Sequence, residues 1–126
     1  MLVSLAEEGW CYKGNEIARL TVETYLKDMK NAGVDTLVLG CTHFPVFSGL
    51  ISEYMPGLHL VDMGVSAARR IKEMLISAGA ENLSGKAAIH KFFVSDKPVT
   101  FEKTVKIFLG DCAENIKINL VDVEKI

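Results

Sequence analysis

Cys41, Thr42 and His43 place a thiol, a hydroxyl and an imidazole on three consecutive residues, a set that can carry protons or attack an electrophile. A free thiol ionises near pKa ~8.5, so a thiol base working at neutral pH needs an imidazolium, a helix amino terminus or backbone N–H groups to favour its thiolate. His43 lies two residues from Cys41 and is placed to do this. The plainer uses of the same residues are a small buried apolar side chain for Cys41, a hydrogen-bonded strand-end ring for His43, and a hydroxyl satisfying the turn backbone for Thr42. A nucleophilic cysteine with His43 as its base is also open, but no third residue is spaced to orient the imidazole.

The triplet needs an element to present it, and the preceding residues supply one. Thr36, Leu37, Val38 and Leu39 form an unbroken run too short for a helix core, as expected of a parallel strand with both faces covered. Gly40 then allows a bend, and Pro45 closes the turn before the next helix. Ligands of open α/β sheets bind beyond the carboxyl ends of the strands, where this turn lies.

Glu16 to Ala32 reads as a helix with Ile17, Leu20, Thr21, Tyr25 or Leu26, and Met29 on its inward face and Gly33 as its stop. A second helix is expected from about Val46 to Met55, ending before Pro56-Gly57, then a strand over Leu58 to Asp62. Met63-Gly64 reads as a turn and Ser66 as the cap of a third helix. Its inward stripe would be Ala67, Ile71, Leu75 and Ala78, with Arg69, Arg70, Lys72 and Glu73 in water and Gly79 at its end. Further strands are expected over Ala88 to Val94 and Ile118 to Val123, flanking a helix that starts near Pro98, carries Phe101, Val105, Phe108 and Leu109, and stops at Gly110. This alternation predicts the α/β class: a parallel sheet flanked by helices. The linker-like stretch Glu81 to Lys86 divides the chain into residues 1–85, which carry the Cys-Thr-His turn, and residues 86–126.

The 126 residues are 49% hydrophobic, ample for a packed core. The longest apolar runs are strand-sized, and the amino-terminal one is stopped by Glu7 and Glu8, so a membrane span and a signal peptide are not expected and a cytoplasmic location is. Cys11, Cys41 and Cys112 are odd in number and lack ligand spacing, which argues for reduced thiols and against a disulfide framework or a metal site. A net charge of −2 with interspersed signs leaves no basic stripe, so neither nucleic acid nor a membrane surface is an expected partner. His59, His90 and the Arg69-Arg70 pair carry no chemical pattern, and no glycine-rich fingerprint marks a dinucleotide site.

The segment Leu39-Gly40-Cys41-Thr42-His43-Phe44-Pro45 resembles the signature around the second catalytic cysteine of the glutamate racemase family, within the aspartate/glutamate racemase superfamily. Ser4-Leu5-Ala6-Glu7-Glu8-Gly9 resembles the family's Pro-Leu-Val-Glu-Glu-Gly, and Val61-Asp62-Met63-Gly64 its Ile-Asp-Ser-Gly, with Ser4 and Met63 as departures. The Phe92-Phe93-Val94 strand and the helix after it look like the family's carboxyl-terminal segment. The resemblance covers nearly all of this chain but about half of the family's, leaving out the first catalytic cysteine.

The resemblance implies two facing α/β domains with the substrate between them, residues 86–126 returning to complete the other domain. It implies cofactor-independent, two-base interconversion of L- and D-glutamate, the D-enantiomer supplying peptidoglycan synthesis. Cys41 is then the base or acid for one face of the α-carbon, His43 and Glu7 support it, and Thr42 binds the substrate α-carboxylate. The opposing thiol must come from a missing amino-terminal half, which, or a second copy of the chain, is the expected partner. The alternatives are a catalytically silent remnant or binding module of the same fold, and another amino-acid racemase such as aspartate racemase.

Overall fold

Helices followed by glycines, alternating with strands of four residues, set the architecture. In the computed structural model, residues 1–86, 90–96, 98–110 and 116–125 are described. Cys112 and the start of the strand expected from Ala88 lie outside them. The chain divides into two compact units, Met1–Leu83 and Ser84–Ile126.

The first unit opens with α1 (Leu2–Glu7), an element absent from the sequence expectations, and continues with α2 (Glu16–Asn31). At the end of α1 the Gly9 N–H bonds to the Ala6 carbonyl and the Trp10 N–H to the Leu5 carbonyl, the paired closure that needs a left-handed residue, and Gly9 supplies it with φ of 76°. Asn15 caps α2 by accepting from the Ala18 N–H at 2.9 Å. Next come β1 (Thr36–Leu39), a 3₁₀ turn over Phe44–Phe47, α3 (Ser48–Tyr54), β2 (His59–Asp62) and α4 (Met63–Ser77). Strands β1 and β2 pair in parallel, with Leu39 opposite Asp62, so both end at the sheet edge from which the Cys-Thr-His turn leaves β1.

The core of this unit gathers Leu5 and Ala6 of α1, Ala18, Val22 and Leu26 of α2, Leu39 of β1, and Phe47, Leu50 and Ile51 beyond the turn. Phe47 has no exposed surface and anchors the 3₁₀ turn. Lys30 ties α2 to α3, donating to the Tyr54 carbonyl at 2.7 Å with its ammonium 4.0 Å from the Tyr54 ring centre.

Several expectations are corrected here. Helix α2 buries Ala18, Thr21, Val22 and Leu26, whereas Ile17, Leu20, Tyr25 and Met29 of the expected stripe are exposed. Val38 is 54% exposed, so β1 is open where a strand covered on both faces was expected. The cap of α4 is Asp62, whose Oδ1 accepts from the Gly64 and Val65 N–H groups at 2.7 and 3.1 Å, while the Ser66 hydroxyl donates to the Asp62 carbonyl. Met63-Gly64 therefore begins the helix instead of preceding it. No residue of α4 is buried; Ile71 and Leu75 are both exposed. Amphipathic spacing marks a face suited to burial without saying what buries it. Gly40 has no left-handed φ, and a Cβ there would meet no atom within 4 Å, so its bend does not depend on glycine.

The second unit holds β3 (Lys91–Val94), α5 (Pro98–Leu109), β4 (Lys117–Leu120) and a closing 3₁₀ turn over Val123–Lys125. β3 and β4 are parallel, with Phe92 opposite Ile118. Helix α5 packs on this pair, bringing the Phe92 and Phe101 ring centres to 6.3 Å, and Val105 is its buried residue. The Asn119 side-chain amide donates to the Phe92 carbonyl at 3.2 Å, a side-chain link added to the backbone ladder.

Candidate active site

The site forms where β1 ends. A Phe44 N–H to Cys41 carbonyl bond of 3.1 Å tightens the turn, Pro45 sits in the first turn of the 3₁₀ segment, and the Ser48 hydroxyl donates to the Pro45 carbonyl at 2.6 Å. With Phe47 buried below, His43 has helical backbone angles (φ −83°, ψ −25°) at the head of that segment. Its side chain therefore folds back over residues 41 and 42.

The His43 Nδ1 lies 3.7 Å from the Cys41 Sγ and 3.4 Å from the Thr42 Oγ1. On the other side of the ring, Nε2 lies 3.4 Å from Oε1 of Glu7, the last residue of α1. The structure thus brings together all four residues singled out from the sequence: Cys41, Thr42, His43 and Glu7. His43 is the most sheltered of the ionisable pair, its side chain 23% exposed against 55% for Glu7. Cys41 is half-buried and Thr42 exposed, so the thiol and hydroxyl remain reachable.

The two ring nitrogens divide the work. An ionised Glu7 favours a proton on Nε2, and neutral imidazole then presents the Nδ1 lone pair to the Cys41 thiol, from which it can accept a proton. Protonated, the ring donates at both ends, to a thiolate and to a carboxylate. Glu7, which the resemblance singles out, reaches His43 from α1 across the whole of α2, a contact that spacing in the chain did not reveal. The signal available was weak: Leu2, Leu5 and Ala6 recur at helical spacing just before Gly9, enough to predict a helix end but not its docking.

The cap role of Asp62 was missed: it stands opposite Leu39 at the end of β2 and caps α4, and an Asp directly before a helix is the signal that could have found it. Cys11 is a free, half-buried thiol outside this cluster. Among the described residues no group of three metal-ligating side chains forms, and no helix is long and apolar enough to cross a membrane.

Parallel strands flanked by helices, with a thiol and an imidazole just past β1 and a carboxylate from α1 beside them, define an α/β segment. Over nearly its whole length the chain is homologous to the carboxyl-terminal part of glutamate racemases. It is 40% identical over 118 residues to glutamate racemase of Neisseria meningitidis, covering 94% of this chain and 43% of that protein. To the enzyme of Geobacter metallireducens it is 42% identical over 111 residues, 87% of this chain and 40% of that one. The solved glutamate racemase of Thermus thermophilus, in complex with β-chloro-D-alanine, matches with a TM-score of 0.80 at 28% identity over 99% of this chain and 46% of that one. That of Francisella tularensis, in complex with D-glutamate, shares the fold with a TM-score of 0.82 at 24% identity, covering 99% and 45%. No family model matches the chain. The chain spans less than half the length of the relatives it matches.

Proposed function

We propose that this chain carries one half of a cofactor-independent glutamate racemase site, the opposing acid–base group coming from a further portion of protein like that which the relatives possess outside the match. The observation that carries this reading is the His43 ring set between Cys41 Sγ at 3.7 Å and Glu7 Oε1 at 3.4 Å. The homology to glutamate racemases supports glutamate as the substrate.

In this reading the Cys41 thiolate removes the α-proton of one enantiomer and becomes the thiol. The electron pair left on the α-carbon takes a proton from the opposing group on the other face, which inverts the centre. The site ends with its two groups in exchanged protonation states, and either the reverse reaction or proton exchange with solvent resets them. His43 relays the proton between Cys41 and the exterior, with Glu7 holding its ring, and the exposed Thr42 hydroxyl binds the substrate α-carboxylate. D-glutamate made in this way feeds peptidoglycan synthesis in the cytoplasm. In the same proposal residues 86–126 complete the other domain.

Deuterium incorporation from D₂O at the glutamate α-carbon tests this, because it registers proton removal on one face even without inversion. The chain alone is expected not to racemise glutamate. Combined with the amino-terminal portion of a relative it should both exchange and invert, and Cys41→Ala should abolish inversion together with exchange of the enantiomer whose α-proton Cys41 removes. Efficient inversion by the lone chain, or no exchange from a folded complex, sinks the proposal.

A further inference from the structure

Gly49 sits in the first turn of α3 without a left-handed φ, so its backbone conformation does not require glycine. A Cβ built there would come within 3.3 Å of the Lys13 Cε, closer than such atoms ordinarily approach, so the room that glycine leaves is taken by the Lys13 stem. Lys13 belongs to the loop that joins α1 to α2. That loop is fastened at both ends, by the Trp10 N–H on the Leu5 carbonyl at 2.8 Å and by the Asn15 N–H on the Tyr12 carbonyl at 3.2 Å. The two stretches that meet at Lys13 and Gly49 are the same two that meet at Glu7 and His43: the loop continues α1 past Glu7, and α3 continues the 3₁₀ turn that starts from His43.

We propose that Lys13 is a positioning residue of the proton-transfer site and acts through Glu7: its stem, lying across Gly49, is a second clasp that keeps the end of α1, and with it the Glu7 carboxylate, beside the His43 ring. Lys13 is an exposed residue, and its methylene stem is the acting part, lying on the backbone of α3 while the ammonium stays in water. A second clasp matters because the first is slight. Helix α1 buries only Leu5 and Ala6, and the Glu7 side chain is 55% exposed where it meets His43. Two contacts between one pair of stretches also fix their orientation, which a single contact leaves free to pivot. The inference rests on the racemase reading for what the clasp positions, and adds a residue that neither the Cys-Thr-His turn nor α1 contains.

The full chain carries the first test, by amide hydrogen exchange and NMR, neither of which needs activity. Lys13→Ala should speed exchange of the Gly9 and Trp10 N–H groups, which close α1, about twofold to threefold and weaken the Glu7 to His43 contact, with exchange across Thr36–Leu39 unchanged. Lys13→Met keeps an unbranched stem without the ammonium and should restore the wild-type values. Gly49→Ala should reproduce Lys13→Ala although alanine is the better helix former, because the added methyl displaces the stem. In the complex with the amino-terminal portion of a relative, Lys13→Ala should slow glutamate α-proton exchange by up to about fivefold with KM nearly unchanged, and should add nothing to Glu7→Gln. Three results overturn the inference: exchange at Gly9 and Trp10 indifferent to Lys13→Ala, a Lys13→Met protein as impaired as Lys13→Ala, which assigns the effect to the charge, or losses that add to those of Glu7→Gln. If the complex never exchanges the α-proton, wild type included, the racemase reading falls, while amide exchange at Gly9 and Trp10 still decides the clasp.

Discussion

Glu7 and His43 meet at 3.4 Å, Oε1 to Nε2, although α2 lies between them in the chain. The contact joins the end of α1 to the turn after β1, so the orientation of the imidazole depends on the docking of α1 as well as on the turn. An ion pair with a side chain this exposed contributes about 0.2–1 kcal/mol. Glu7→Gln in the assembled protein should therefore slow α-proton exchange by up to about fivefold while leaving the substrate KM nearly unchanged. A fall in KM-dependent binding without a fall in kcat would assign Glu7 to substrate binding instead.

Phe47 is fully buried directly after the site. Phe47→Ala should destabilise the first unit by about 3–5 kcal/mol, read as a lower urea midpoint, with loss of the His43 to Cys41 contact in NMR spectra. A change below about 1 kcal/mol would mean that the turn does not depend on this anchor.

Asp62→Ala removes the cap of α4 and should cost about 0.5–2 kcal/mol, with faster amide exchange at Gly64 and Val65, whose N–H groups it accepts from. Asp62→Asn, which keeps an accepting oxygen, should recover most of the loss. Equal exchange in wild type and Asp62→Ala would show that the cap contributes nothing.

The Arg19 guanidinium, bonded to Glu16 and Glu23 on exposed α2, holds the Glu16 carboxyl below the usual carboxylate range. A carboxyl whose folded pKa is lowered stabilises above its unfolded pKa, and that contribution disappears as pH falls through the folded value. The side-chain carbon signal of Glu16 should titrate below the ordinary range, and Arg19→Ala should return it there. An unchanged midpoint in Arg19→Ala would exclude the guanidinium as the cause.

The strand-turn reading from Thr36 to Pro45 was legible because an apolar run followed by small and polar residues has few other solutions. Helix ends were legible for a similar reason: Gly33 and Gly79 take left-handed φ values of 69° and 61° just past α2 and α4. Which face of a helix would be buried was not. The apolar residues of α2 wrap more than one side, and the chain covers the side bearing Ala18, Val22 and Leu26 while Ile17 and Leu20 stay exposed. The Cys41 to His43 pairing could be expected from sequence neighbourhood, whereas the meeting of Glu7 with His43 is a tertiary fact that periodicity does not encode.

Helix α1 has six residues, too few to persist as an isolated helix in water. It is held in place by Leu5 and Ala6, 7% and 0% exposed. The placement of the Glu7 carboxylate beside His43 thus rests on that small patch of packing, and sparsely packed elements open locally ahead of global unfolding. If the proposed relay operates, warming should dim proton exchange before the sheet melts, so that exchange reads α1 docking rather than global stability.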